Sequence, residues 1–163
     1  MFRELRRNKQ ILSHGECIEI LQNATSGVLA VLGDDDYPYA VPLSFAYDED
    51  RIIFHCAKAG HKLDAILKHE KVSFCVIDKD DVVPHEFTTY FRSVVLFGKA
   101  QLIEKEDAKR KATEILCKKY QPTGEGIEEE INKSIDHMQV VQINIEHMSG
   151  KEAKELVMRR GTE

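Results

Sequence analysis

Val28-Leu29-Ala30-Val31-Leu32, Tyr39-Ala40-Val41-Pro42-Leu43-Ser44-Phe45-Ala46-Tyr47 and Arg51-Ile52-Ile53-Phe54-His55 are three apolar runs in close succession. Gly33-Asp34-Asp35-Asp36 separates the first two, and Asp48-Glu49-Asp50 separates the second from the third. Short β-rich runs joined by acidic turn residues read as strands in antiparallel hairpins. Pro42 removes one ladder donor from the second run, which marks an edge, a bulge or a gap where a flat ligand can approach the backbone.

Upstream, Ser13 and Glu16 have capping-box spacing, and Cys17, Ile18, Ile20 and Leu21 supply an apolar face. A helix is expected from there to about Gln22, closed by residues 23–27. Downstream, the pattern predicts a helix over 62–69, a strand over 72–77 and a polar connection over 78–86. Residues 88–103 read as a strand pair or as one strand bent at Gly98. Helices are expected over 105–120 and 127–138, parted by Pro122, Gly124 and Gly126, with a last strand over 140–145. The tail after Ser149-Gly150-Lys151 is charged. Many strands with few helices predict a mainly β fold, a small closed or partly closed barrel with helices at its rim. Such a barrel is filled by its own side chains, so a sizeable cofactor would sit outside it, in a groove between two copies.

The 163 residues fit one domain spanning 1–163, and 42% hydrophobic with 31% charged residues fit a soluble globular protein. A net charge of -5 argues against general nucleic-acid binding, and no apolar run is long enough to span a membrane. The basic start, Arg3, Arg6, Arg7 and Lys9, reads as a solubilising end that can also touch an anion. Cys17, Cys56, Cys75 and Cys117 lack metal or disulfide spacing, so reduced thiols and a cytoplasmic location are expected, with no metal site.

The chemistry concentrates where the third run ends. His55, Cys56 and Ala57 lead through Gly60 into His61-Lys62, which opens a helical pattern. A helix start with cationic side chains beside it suits a phosphate, although a solvated basic turn reads equally well from this segment alone. His55 is either a hydrogen-bonded structural histidine or a proton donor to a reduced substrate. Cys56 reads as a small buried residue, and Glu128-Glu129-Glu130 as a solvated helix face. His14, His69, His85, His137 and His147 read as surface residues.

Several segments taken in order resemble the flavin-binding split-barrel proteins related to pyridoxamine 5′-phosphate oxidase, and within them the nitroimidazole-resistance proteins. The resemblance is carried by Arg6-Arg7, residues 37–47, Ile53-Phe54-His55-Cys56-Ala57 with Gly60-His61-Lys62, residues 90–100, and Ser149-Gly150-Lys151-Glu152. It implies a split β-barrel homodimer with FMN between the subunits. By the same resemblance His61 and Lys62, with Gly60, hold the phosphate, and Arg92 and Ser93 assist. The ring would lie along Pro42, Leu43 and Ser44 and against His55, Cys56 and Ala57. Lys151 would reach the site across the dimer, and His55 would face the reacting groups. The arginine-rich substrate signatures of true pyridoxamine phosphate oxidases are missing, and the sequence closes on Arg159-Arg160-Gly161-Thr162-Glu163, so vitamin B6 oxidation is not expected.

The resemblance thus implies an FMN-dependent oxidoreductase that carries electrons from a transient reduced nicotinamide to a small organic acceptor, such as a nitroaromatic. Two alternatives stay open. One is a flavin- or heme-binding protein without turnover, with His14 or His147 as axial ligand. The other is a β-barrel interaction protein.

Overall fold

The computed structural model describes residues 2–160; the last part of the charged tail, residues 161–163, lies outside the described residues. The hairpin runs fold as β1 (Gly27–Leu32), β2 (Pro38–Leu43), β3 (Ala46–Asp48) and β4 (Arg51–Ala57). The second run is therefore two strands with a break at Ser44-Phe45. They are followed by α2 (His61–Lys68), β5 (Lys71–Val83), β6 (Thr88–Leu102), α3 (Glu106–Tyr120), α4 (Ile127–Ser134), β7 (Met138–Glu152) and α5 (Lys154–Arg160). α1 (His14–Asn23) precedes them, and its Ser13–Glu16 capping box is formed in both directions.

All seven strands share one sheet in the order β2-β1-β5-β6-β7-β4-β3, and each pairing is antiparallel. One core cluster joins both ends of that order: Leu29 and Phe74 from one side, Ile52 and Phe54 from the other. Phe45 meets Phe74 edge-on at 5.0 Å across it. The sheet thus curls on itself, and it stays split between β2 and β3, the two ends of the strand order. Cys17, Ile20 and Leu21 of α1 and Leu63, Ala65 and Ile66 of α2 pack into the same core. Outside the curl, α3 packs Ala112 against Ile53, Ile103 and Val140. Among the described residues, no helix is long and apolar enough to cross a membrane.

Three expectations need correction. Residues 78–83 are not a connection but the outer half of β5, held by pairs from Lys79↔Arg92 to Val83↔Thr88 past an irregularity between Ile77 and Lys79. Their polar composition hides this, because a two-stranded arm needs backbone pairing and only slight burial. β7 likewise continues to Glu152, since β6 supplies partners as far as Arg92↔Glu152. The helix expected over 127–138 tightens into a 3-10 turn at Ile135–His137, because Met138 must pair with Ala57. Residues 88–102 form one strand, with its register shift against β7 between Phe97 and Gly98. A Cβ at Gly98 would lie 2.3 Å from the Asn144 carbonyl oxygen, so only glycine lets the two backbones approach there.

Pro42 lies on β2, the last strand of the order, and β1 is its neighbour there. Of the three readings of this proline, the fold realises the edge strand.

Candidate functional site

α2 opens at Gly60, whose φ of 130° is a left-side conformation that a side chain would strain, and no side chain caps the helix start. The first amides of α2 are left available, the arrangement that favours an anion. The two basic side chains beside them point apart. The His61 ring stacks on Tyr39 at 4.2 Å, and its Nε2 accepts a hydrogen bond from the Asp34 amide at 3.3 Å. An imidazole accepting at Nε2 keeps Nδ1 as its donor in the neutral form. The Lys62 ammonium turns the other way and lies 5.8 Å from the centre of the Phe54 ring.

β4 alternates. Phe54 and Cys56 enter the core, while His55 and Ala57 face outward. Burial raises the Cys56 thiol above its ordinary range, opposed by the charge of Lys62. That thiol is a packing group. His55 opens instead into a cleft of about 320 Å³ beside α3 and α4, together with Ser44, Leu116, Cys117, Tyr120 and Glu130. Sequence reading pairs His55 with Ser44 and misses the helical wall, because residues 116–130 approach β4 only through the tertiary fold.

The strand break at Ser44-Phe45 is closed by Tyr120. Its hydroxyl accepts from the Phe45 amide at 2.9 Å and donates to the Thr25 carbonyl at 2.6 Å. Next to it, Lys119 places its ammonium 3.9 Å from the Phe45 ring centre and donates to the Leu21 carbonyl at 3.1 Å. Burial lowers this amine to about 8.

Arg92, Ser93 and Lys151 lie elsewhere. Ala57 pairs with Met138 at the start of β7, whereas Ser93 pairs with Lys151 near its end. One chain therefore does not bring these residues to His61 and Lys62. Arg92 faces inward and is held by Glu152 at 3.3 Å and Asp78 at 3.7 Å. The fully buried Glu152 also pairs with Arg160, which reaches Glu16 as well. Glu152 is thus the hub of an ion cluster tying β6, α1 and α5 together. In the sequence it is marked only as the last residue of the Ser149-Gly150-Lys151-Glu152 segment of the resemblance.

Ser93 and Lys151 occupy the outer sheet face. Register places Pro42, Val28, Cys75, Val95 and Ser149 in one row across five strands, and Ala40, Ala30, Ser73, Phe97 and His147 in the next. All are half-buried or exposed, and the inner face of the same strands carries the core. Phe2 covers one edge, stacking 5.5 Å from Phe97 and 4.8 Å from His147. The face is broad and carries mainly small and apolar side chains. Leu43 turns the other way and packs against the core.

A family model described as pyridoxamine 5′-phosphate oxidase matches residues 13–152. The chain belongs to that family. Its fold is shared with a candidate 5-nitroimidazole antibiotic resistance protein of Bacteroides thetaiotaomicron, at TM-score 0.72 and 20% identity over 87% of this chain and 86% of that one. A conserved hypothetical protein of Mycobacterium tuberculosis superposes at TM-score 0.79 and 18% identity, covering 94% and 92% of the two chains. A protein of Mycobacterium smegmatis described as FAD and heme binding gives TM-score 0.75 and 22% identity over 94% and 80%. No curated protein sequence matches the chain.

Proposed function

We propose that this family member is an FMN-dependent oxidoreductase that works as a cytoplasmic homodimer. It would pass electrons from a visiting reduced nicotinamide to a small organic acceptor such as a nitroaromatic. The observation that carries this reading is the outer face on which Pro42, Ser93 and Lys151 lie. Across β2, β1 and β5 its two rows hold only proline, alanine, valine, serine and cysteine, which leave room for a planar ring system once a second copy closes the groove. Two copies also supply what one chain keeps apart, the α2 start and the Ser93–Lys151 end of the sheet.

The residues at the α2 start fit a phosphate. The uncapped amides, the His61 ring held by Tyr39 and Asp34, and the Lys62 ammonium would hold it. Bound flavin supplies the electron chemistry, and the protein orients it and excludes water. His55 lines the cleft and would deliver a proton to the reduced acceptor. The four cysteines are free thiols, in keeping with a reducing compartment.

The test separates the two half-reactions by stopped flow. His55→Ala should retain FMN and leave flavin reduction by the nicotinamide nearly unchanged, while reoxidation by the organic acceptor slows by roughly 10²-fold or more. Equal reoxidation in variant and parent would reduce His55 to a packing role.

A second reading has one observation in its favour. His14 and His147, far apart in sequence, line one cleft of about 440 Å³ with Cys17 and Met148. A heme could take either imidazole as axial ligand. The purified protein's spectrum decides, with a flavin band near ~450 nm or a Soret band near ~410 nm.

A further inference from the structure

The cleft beside His55 has a chemical character of its own. Its walls are Leu116, Met138 and the Tyr120 ring, so an aromatic body loses water on entering. At about 320 Å³ it takes a single substituted ring and is at the small end of ligand pockets. Among the described residues, no lysine or arginine lines it. The one formal charge at its wall is Glu130.

Sequence reading places residues 128–130 on a solvated helix face, yet Glu130 differs from its two neighbours. Ile127 and Ile131 are the buried face of α4, and Glu130 lies next to Ile131 and one turn before Ser134, which also lines the cleft. Its charge reaches inside. The Cys117 thiol on the opposite helix is pushed up first by burial and then by the Glu130 carboxylate. An anion entering this space meets that carboxylate with no lysine or arginine among the described lining residues, and the Lys109 ammonium beside Met138 is held by the Ile135 and Met138 carbonyls.

We propose that this cleft seats the organic acceptor, and that Glu130 selects cationic aromatic acceptors over anionic ones. The inference rests on the oxidoreductase reading and deepens it by naming the acceptor's charge class. The acceptor's ring lies against Leu116 and Tyr120, its cationic substituent toward Glu130 and its reducible group toward His55. The same field keeps carboxylates and phosphates out, so phosphorylated substrates and the pyrophosphate of a dinucleotide approach from elsewhere.

The experiment uses two probes with the same ring and nitro group, 4-nitrobenzylammonium and 4-nitrobenzoate. Each is titrated into the FMN-loaded protein while the His55 ring is followed by NMR. The ammonium should shift His55 and bind roughly five- to tenfold more tightly than the carboxylate. Glu130→Gln should bring the two affinities within about twofold, and Glu130→Lys should reverse the order. Because Glu130 is exposed, both variants should fold, which an unchanged thermal midpoint verifies. Equal binding of the two probes by the parent would overturn the proposal. So would a preference that survives Glu130→Gln, or shifts confined to other histidines. If the ammonium binds through Glu130 but neither probe is ever reduced, the oxidoreductase reading falls while charge selection by the cleft stands.

Discussion

Lys62 and Lys119 are both cations near aromatic rings, and their surroundings give them opposite tasks. Lys62 is the second residue of α2, beside its uncapped start, where the proposed phosphate would lie. Lys62→Ala should weaken FMN roughly ten- to hundredfold, the loss of one charge-assisted bond of about 1.5–3 kcal/mol. Titrating apoprotein at low and high salt checks this, and the difference should shrink as salt rises. Lys119 is enclosed by Phe45, Tyr120 and the Leu21 carbonyl, with burial lowering its amine from 10.5 to about 8. Below pH 8 both folded and unfolded chains carry this proton, and the burial penalty is fully present. Between about 8 and 10.5 the unfolded chain binds more protons, so this lysine's contribution to stability rises with pH. Urea unfolding from pH 7 to 10 should show the parent gaining stability relative to Lys119→Met as pH rises, a difference in which the raised thiols, whose effect runs the other way, cancel.

α3 is more than a cover for the sheet. Its last residue, Tyr120, supplies the partner for the buried Phe45 amide where β2 gives way to β3. Tyr120→Phe keeps the ring and leaves that N–H unpaired, at a cost of about 1–3 kcal/mol. Denaturant midpoints measure the loss. Because Tyr120 also lines the cleft with His55 and Ser44, the variant should loosen the acceptor site along with the strand break. The outer arm of β5 and β6 illustrates the other kind of element. Its Ile77 and Val82 are 62% and 68% exposed, and only Tyr90, with Val83 and Phe91, packs against Ala153 and Leu156, so backbone pairing and one small cluster hold it in place. That is why 78–83 does not look like a strand in sequence.

The proposed dimer would close on the outer face of the sheet. Val95 sits mid-row between Cys75 and Ser149, half-buried and away from the core clusters. Val95→Asp should leave the chain folded and disrupt the dimer, since an unpaired charge buried at an interface costs on the order of 3 kcal/mol, or over a hundredfold in dissociation constant. Sedimentation should show monomer and flavin titration a parallel loss of affinity. A variant that stays dimeric would place the interface on another face.

Hairpin spacing, the Ser13–Glu16 cap, the bend at Gly98 and the helix start at Gly60-His61 are all readable along the chain, because each depends on neighbours a few residues away. The family also follows from ordered local segments. Partners far apart in sequence are a different matter. The curl of the sheet, and not any motif, sets Glu130 and Tyr120 beside His55, commits Arg92 to Glu152, and separates Lys151 from Lys62. Local pattern reports how a backbone bonds with its near neighbours. Which charges and rings share a cleft is decided by strand order and helix packing, and those depend on contacts between residues dozens of positions apart.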